Sequence, residues 1–196
     1  QGEGGVNVLD KDFVKGISDI AKEENLLIIA DEVQTGNGRT GKLYAYMNYD
    51  VNPDIVTTAK GLGGGLPIGC AMLSDKVENV LGFGEHGSTF GQNPIACAGA
   101  VSILSRLDDK LLNEVLSKSE EVFHSLSGKD GIESVSGMGL MIGIKTKKPA
   151  SDVVKKCMEK GVLCLTAKDK VRLLPALNIP RELLLEAIEI IKECAK

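Results

Sequence analysis

The 196-residue sequence predicts an α/β fold, a mostly parallel sheet layered with helices, followed by a smaller α+β unit. Three observations carry this. A helical stripe runs into the unbroken apolar segment Leu26-Leu27-Ile28-Ile29-Ala30, the texture of a buried parallel strand. A second β-branched run, Ile55 to Ala59, follows after enough chain for a crossover. From Ile132 onward short strands and helices alternate, and glycine becomes sparse.

Taken in order, Asp10 is a helix cap, and Phe13, Val14, Ile17, Ile20 and Ala21 recur at helical spacing to about Glu24. The strand 26–30 ends abruptly in Asp31-Glu32. A loop punctuated by Gly36, Gly38 and Gly41 follows, then a turn at Asn52-Pro53-Asp54. The strand 55–59 ends in Lys60, and a third strand is expected at 69–74. Asn93-Pro94 is an N-cap and first helical residue for a helix to about Leu107. A second helix covers 110–126. The remainder reads as strands at 132–136 and 140–146, a helix at 152–160, strands at 162–165 and 171–174, and a helix at 181–194. The expected division is a large domain over 1–107 and a small domain with its connecting helix over 108–196.

Composition narrows the function classes. With 23 Lys+Arg against 27 Asp+Glu the net charge is −4, which gives no electrostatic footprint for nucleic acid or an anionic membrane. No apolar run approaches the roughly 20 residues of a membrane span, and the first residues lack the basic and apolar regions of a signal peptide. Five cysteines without a CxxC pair suit free thiols in a reducing compartment, so a cytoplasmic location is expected. His86 and His124 have no motif partner for metal or triad chemistry, and no metal site is expected. Of 23 glycines, 17 lie in the first 99 residues, which points to ligand-facing loops there.

Asp31 and Lys60 each terminate a strand. Ligands of α/β proteins gather at the carboxyl ends of parallel strands, and 28 residues separate the two charges, room for a crossover between neighbours. Either residue alone is what any solvated loop carries. Residues 36–43 (GNGRTGKL) come close to the phosphate loop GxxxxGK[ST]. The match fails because Leu43 replaces the Mg²⁺-binding hydroxyl, the acidic pair precedes the loop on the same connection, and Tyr44-Ala45-Tyr46 starts a helix poorly. Gly61-Leu62-Gly63-Gly64-Gly65 is no dinucleotide fingerprint, since Leu66-Pro67 stands where the third glycine and its helix belong. Its glycines instead let backbone approach a bulky group carried on Lys60, unless they are simply a flexible turn. A lysine amine and a carboxylate at strand ends match pyridoxal phosphate chemistry, which needs a Schiff-base lysine and an acid to keep the ring nitrogen protonated. Other lysine-dependent sites stay open on these residues alone.

Residues 1–5 (QGEGG), 26–43 (LLIIADEVQTGNGRTGKL), 53–69 (PDIVTTAKGLGGGLPIG), 86–99 (HGSTFGQNPIACAG) and 171–175 (VRLLP) resemble class III aminotransferases, pyridoxal-phosphate enzymes of fold type I. The resemblance runs the whole chain in family order. It implies that the first part belongs to the large cofactor-binding domain and the rest to the small C-terminal domain. It implies that Lys60 is the Schiff-base lysine and proton shuttle, Asp31 the partner of the pyridine nitrogen, and Gln34 a hydrogen-bond partner of the ring's phenolic oxygen. Ser88 and Thr89 match the loop that reaches the cofactor phosphate of a neighbouring subunit, which implies a homodimer. Arg172 matches the arginine that grips a substrate α-carboxylate, and Glu3 the acid that masks it when the ω-amino substrate binds.

Within the class, the HGSTF and VRLLPAL segments lean toward members that move an amino group from N-acetylornithine to 2-oxoglutarate in arginine biosynthesis, giving N-acetylglutamate semialdehyde and glutamate. Ornithine is the next donor in line, and 4-aminobutyrate a further one. Gln92 departs from the family's usual glycine. The sequence begins as if in mid-domain, and family members are about twice as long. The expectation is therefore an incomplete fragment, inactive in isolation, lacking the turn that binds the cofactor phosphate and the aromatic residue that stacks on its ring.

Overall fold

A computed structural model describes all of residues 1–196 and divides them into two compact units. The first comprises 10–38 and 42–108, the second 1–9, 39–41 and 109–196. Residues 1–9 and 39–41 thus fold with the C-terminal half, although the chain reaches them before 108.

The first unit opens with α1 (Lys11–Glu23). Asp10 has extended backbone, and its carboxylate accepts from the Asp12 and Phe13 amides at 2.9 and 3.1 Å. Such a cap contributes about 1 kcal/mol. The helix stops where Asn25 turns left-handed at φ +50°. There the Leu26 amide reaches back to the Ala21 carbonyl and the Asn25 amide to that of Lys22, which satisfies the last free carbonyls. Three strands follow, β1 (Ile29–Asp31), β2 (Ile55–Thr58) and β3 (Cys70–Leu73). β1 and β2 are parallel with Asp31 opposite Thr57, whereas β3 runs antiparallel to β2. The parallel character of the sheet therefore rests on β1–β2. α2 (Pro94–Leu104) completes the unit, capped by the Asn93 side chain on the Ile95 and Ala96 amides with Pro94 in the first turn.

One expectation needs correcting. The run 26–30 reads as a buried strand, but the strand is Ile29–Asp31 and lies at the sheet edge with Ile29 62% exposed. The reason is that the Ile29 side chain stands out of the sheet plane on a face that no element within residues 1–196 covers. Phe13, Ile17 and Ile20 of α1 are likewise exposed, so the periodicity that announces the helix marks a stripe with no cover within residues 1–196.

The second unit is a four-stranded antiparallel sheet with three helices. α3 (Asp109–Leu126) leads to β4 (Ile132–Met138), β5 (Met141–Thr146), α4 (Ala150–Glu159), β6 (Leu165–Ala167), β7 (Lys170–Leu173) and α5 (Arg181–Ala195). The strand order is β4-β5-β7-β6. Its core joins Val122 of α3, Ile142 and Ile144 of β5, Val153 of α4 and Ile188 and Ile191 of α5, all with no measurable exposure. The strand expected at 162–165 forms three residues later. The tight turn Lys168-Asp169, with Lys168 at φ +55°, pairs Ala167 with Lys170 and so sets the register. No helix is long and apolar enough to cross a membrane.

All five cysteines are free thiols. Cys157, Cys164 and Cys194 are buried together, and burial pushes the thiols of Cys157 and Cys164 up, which keeps them protonated and unreactive. Cys70 and Cys97 are exposed. Titration with a chromogenic disulfide at neutral pH is expected to find two fast thiols in the native chain and five in denaturant. A third fast thiol would contradict the packing. Because the folded thiols hold their protons more tightly than unfolded ones, stability is full below the ordinary thiol range near pH 9 and declines as pH rises above it.

Candidate active site

The first group of residues stands on the strand ends of the first unit. Asp31 closes β1 with its carboxylate exposed, and one oxygen accepts from the Val33 amide at 3.0 Å. The ladder continues for one step, with the Glu32 amide donating to the Thr57 carbonyl at 2.8 Å. Glu32 itself is only 2% exposed and takes both its carboxylate oxygens inward. One accepts from the Thr35 hydroxyl at 2.6 Å, the other from the Tyr46 amide at 2.9 Å. Of the acidic pair, Glu32 holds the loop and Asp31 is left outward.

Lys60 lies three residues beyond Thr57, which is the register partner of Asp31, so the amine and the carboxylate leave neighbouring parallel strands at the same sheet edge. The chain changes direction sharply there. Lys60 has φ +48°, and Lys60–Gly63 form a 3-10 turn that ends at Gly64 with φ +60°. A side chain at Gly63 would stand 2.8 Å from the Ile68 side chain and have to push it aside, and Gly64 combines φ +60° with a 2.9 Å approach to Ile103, which favours glycine there.

Gln34 is half-buried on the loop after β1. Ser88 and Thr89 are exposed on the segment 82–91, which has no helix or strand, in a turn closed by the Gly91 amide on the Ser88 carbonyl. No hydrogen bond joins them to Asp31 or Lys60. Phe83 and Phe90 of the same segment are exposed as well.

The second group lies in the second unit. Arg172 is on β7, between Gly143 of β5 and Leu165 of β6, and is 7% exposed. Its Nη1 meets the Glu3 carboxylate at 2.5 Å, while its Nε is buried without a partner. The segment 1–7 that carries Glu3 is wound tightly. The Gly5 and Val6 amides donate to the Gly2 carbonyl, and the Ser136 hydroxyl donates to the Val6 carbonyl. Val6 is buried at φ +52°, a conformation a β-branched residue holds only under constraint. That constraint includes Gly143, where a side chain would come 2.8 Å from the Val6 Cβ.

Two residues escaped the sequence reading. Arg39, inside the glycine loop, donates from Nη1 to the carbonyls of Leu140 at 3.2 Å and Pro175 at 2.5 Å, and its own carbonyl accepts from the Leu140 amide. Burial pushes its guanidinium below the ordinary arginine range. Asn37 donates from Nδ2 to the Thr58 hydroxyl at 3.0 Å and to the Ala59 carbonyl at 3.1 Å. An Asn between two glycines was the available signal, since Asn tolerates the left-handed region. Neither arrangement is a phosphate cradle. The loop continues into a 3-10 turn at Ala45–Asn48 rather than a long helix, which disposes of the phosphate-loop alternative.

The family described as aminotransferase class-III matches residues 1–195. The acetylornithine aminotransferase of Haemophilus ducreyi is 45% identical over 195 residues, covering 98% of this chain and 50% of its own length. The crystal structure of acetylornithine aminotransferase from Elizabethkingia anophelis superposes with a TM-score of 0.90 at 36% identity, over 99% of this chain and 51% of that one. An ornithine aminotransferase structure from Toxoplasma gondii, described as having partial occupancy of PLP at its active site, gives 0.91 at 36% identity over 100% and 49%. The chain spans about half the length of the relatives it matches. With Asp31 and Lys60 on one sheet edge and the family matched from end to end, the chain belongs to the class-III aminotransferases.

Proposed function

We propose that this chain supplies the lysine side of a pyridoxal-phosphate site that transfers an amino group from N-acetylornithine to 2-oxoglutarate, giving N-acetylglutamate semialdehyde and glutamate. The observation that carries the reading is the pairing of Asp31 and Lys60 at the carboxyl ends of adjacent parallel strands, in a family that depends on pyridoxal phosphate. The donor set fits that group: a primary amine to bond the aldehyde carbon and a carboxylate to bond the ring nitrogen.

The residues divide the work. Bound pyridoxal phosphate supplies an electron sink for the carbon that loses its proton. Lys60 would hold the group through Nζ, and the same nitrogen would move a proton at the reacting carbon. Asp31 holds the proton on the ring nitrogen, and Gln34 bonds the ring's phenolic oxygen. Arg172 binds a substrate carboxylate, for which its planar fork suits it, and Glu3 covers that fork when the donor does not need it. Ser88 and Thr89 reach a phosphate in a neighbouring subunit of a homodimer. Their exposure, with Phe83 and Phe90 beside them, supports a surface that a second subunit covers. The five free thiols favour a reducing compartment such as the cytoplasm. Donor selectivity follows the relatives: the amino group of acetylornithine ahead of ornithine and 4-aminobutyrate. Turnover belongs to the site completed by the residues that the longer relatives carry, so the isolated chain is expected to be inactive.

Treating the chain with pyridoxal phosphate and borohydride, then mapping by mass spectrometry, tests the assignment. The phosphopyridoxyl group is expected on Lys60 above all other lysines. Label spread evenly over the exposed lysines would overturn it.

A further inference from the structure

We propose that Asn37 is a positioning residue for Lys60, its carboxamide fixing the direction in which the lysine leaves the end of β2. The inference rests on the reading of Lys60 as the cofactor-bearing lysine.

The strand end leaves extended backbone at Lys60. Ala59 has φ −164° and ψ −144°, and Lys60 follows at φ +48°. A non-glycine residue keeps a left-handed conformation only where its surroundings hold it there. Here the peptide joining Ala59 to Lys60 is gripped from two sides. The Ala59 carbonyl accepts from the Leu62 amide at 3.1 Å, which closes the 3-10 turn, and from Asn37 Nδ2 at 3.1 Å. The same Nδ2 binds the Thr58 hydroxyl at 3.0 Å, so one amide group ties together the last strand residue and the peptide ahead of Lys60.

The orientation of the carboxamide follows from chemistry. The Ala59 carbonyl can only accept, so the nitrogen must face it. That orientation leaves Asn37 Oδ1 buried with no hydrogen-bond partner. Asn37 is 8% exposed and itself holds φ +55°. It therefore keeps an unfavourable backbone and an unpaired acceptor while directing both donor bonds away from its own loop, to the strand end beside Lys60. A residue serving only its loop would bond within it. Because the backbone dihedral of Lys60 sets its Cα–Cβ direction, loosening this peptide redirects a long flexible side chain at its root.

Two variants separate the carboxamide from the backbone. Asn37→Gly keeps the left-handed conformation available and deletes the amide. Asn37→Asp keeps the shape but cannot donate, and it sets a carboxylate against a carbonyl. In both, amide hydrogen exchange at Leu62 is expected to accelerate about tenfold, as loss of one hydrogen bond implies. The second readout is the share of phosphopyridoxyl label on Lys60 relative to Lys11 and Lys42, measured from pH 6 to 10. That share is expected to fall severalfold and its pH profile to shift in both variants, while the two reference lysines stay unmoved. A merely structural Asn37 would lower thermal stability and leave the Lys60 share and profile as in the wild type, which overturns the proposal. If the wild-type chain itself shows no preference for Lys60 over Lys11 and Lys42, the reading of Lys60 fails instead, and the positioning role with it.

Discussion

Alanine at Gly137 is expected to unfold the second unit, a larger effect than any other single methyl group added to this chain. Gly137 sits in β4 opposite Ile142 with φ +141°, where a Cβ would lie 2.0 Å from the Met141 carbonyl oxygen and 3.0 Å from the Ile142 Cα. Both obstacles are backbone of the paired strand β5, so no side-chain rotation relieves the overlap. The ladder must open or the strand must twist, and β5 is central, with β7 on its other edge and Ile142 and Ile144 in the core. Loss of more than about 4 kcal/mol is the expected scale, against a typical domain stability of about 5–15 kcal/mol. Two controls calibrate it. Gly161→Ala also has positive φ, +85°, but meets nothing within 4 Å, so it carries only backbone strain of about 1–2 kcal/mol. Gly16→Ala, in the interior of α1 with open space around it, is expected to stabilise by about 0.5–1 kcal/mol. Urea melts that failed to order the three this way would contradict the packing.

The range over which an interaction acts decides which parts of this protein are legible in sequence. Asp10 and Asn93 announce their helices because a cap acts within four residues, and both cap as expected. The strand ends near Asp31 and Lys60 are legible for a similar reason: an apolar run that stops at a charge is a local signal, and the parallel pairing sets Asp31 opposite Thr57, three residues before Lys60. The burial of those strands is not local. Phe13, Ile17, Ile20 and Ile29 obey the pattern of covered faces, yet they are exposed, because a hydrophobic period states that a face is to be covered without stating by what.

Distance along the chain hides the rest. Glu3 and Arg172 meet across 169 positions, and nothing near either residue predicts the other. Only resemblance to a family suggested the pair. Gly139 belongs with them: its lack of a side chain leaves room for the Arg39 carbonyl, 2.4 Å from where a Cβ would be, and the glycine alone does not say which distant backbone needs that room. Arg39 and Asn37 stand two positions apart in a loop that resembles a phosphate cradle. Their side chains instead bind carbonyls at Leu140 and Pro175, and at Ala59. Single-residue donors aimed at distant carbonyls leave no periodic trace, which is why the loop was legible as glycine-rich and its purpose was not.

Removing the charge at Arg172 or at Glu3 is the sharper test of the substrate side. Arg172→Met is expected to leave stability nearly unchanged, since an unbranched apolar chain replaces a buried cation in an apolar sheet and removes its desolvation penalty. The same change should weaken binding of glutarate, a stand-in for the keto-acid partner, by about 100-fold or more, as expected for losing a charge-assisted pair of bonds worth roughly 1.5–3 kcal/mol each. Glu3→Gln is expected to act oppositely on the ligand. Its carboxylate is largely exposed while the guanidinium it meets is buried, so the acid is the easier partner to displace. Without its charge, the side chain at position 3 competes less strongly for Nη1, and glutarate should bind about tenfold tighter. Because the cation is buried, both effects should persist at 0.15 M salt. Calorimetric titration of the three proteins decides the matter. If Glu3→Gln weakened glutarate as Arg172→Met does, Glu3 would be a support that shapes the arginine rather than a cover over it, and the tight winding of residues 1–7 would then serve the fold alone.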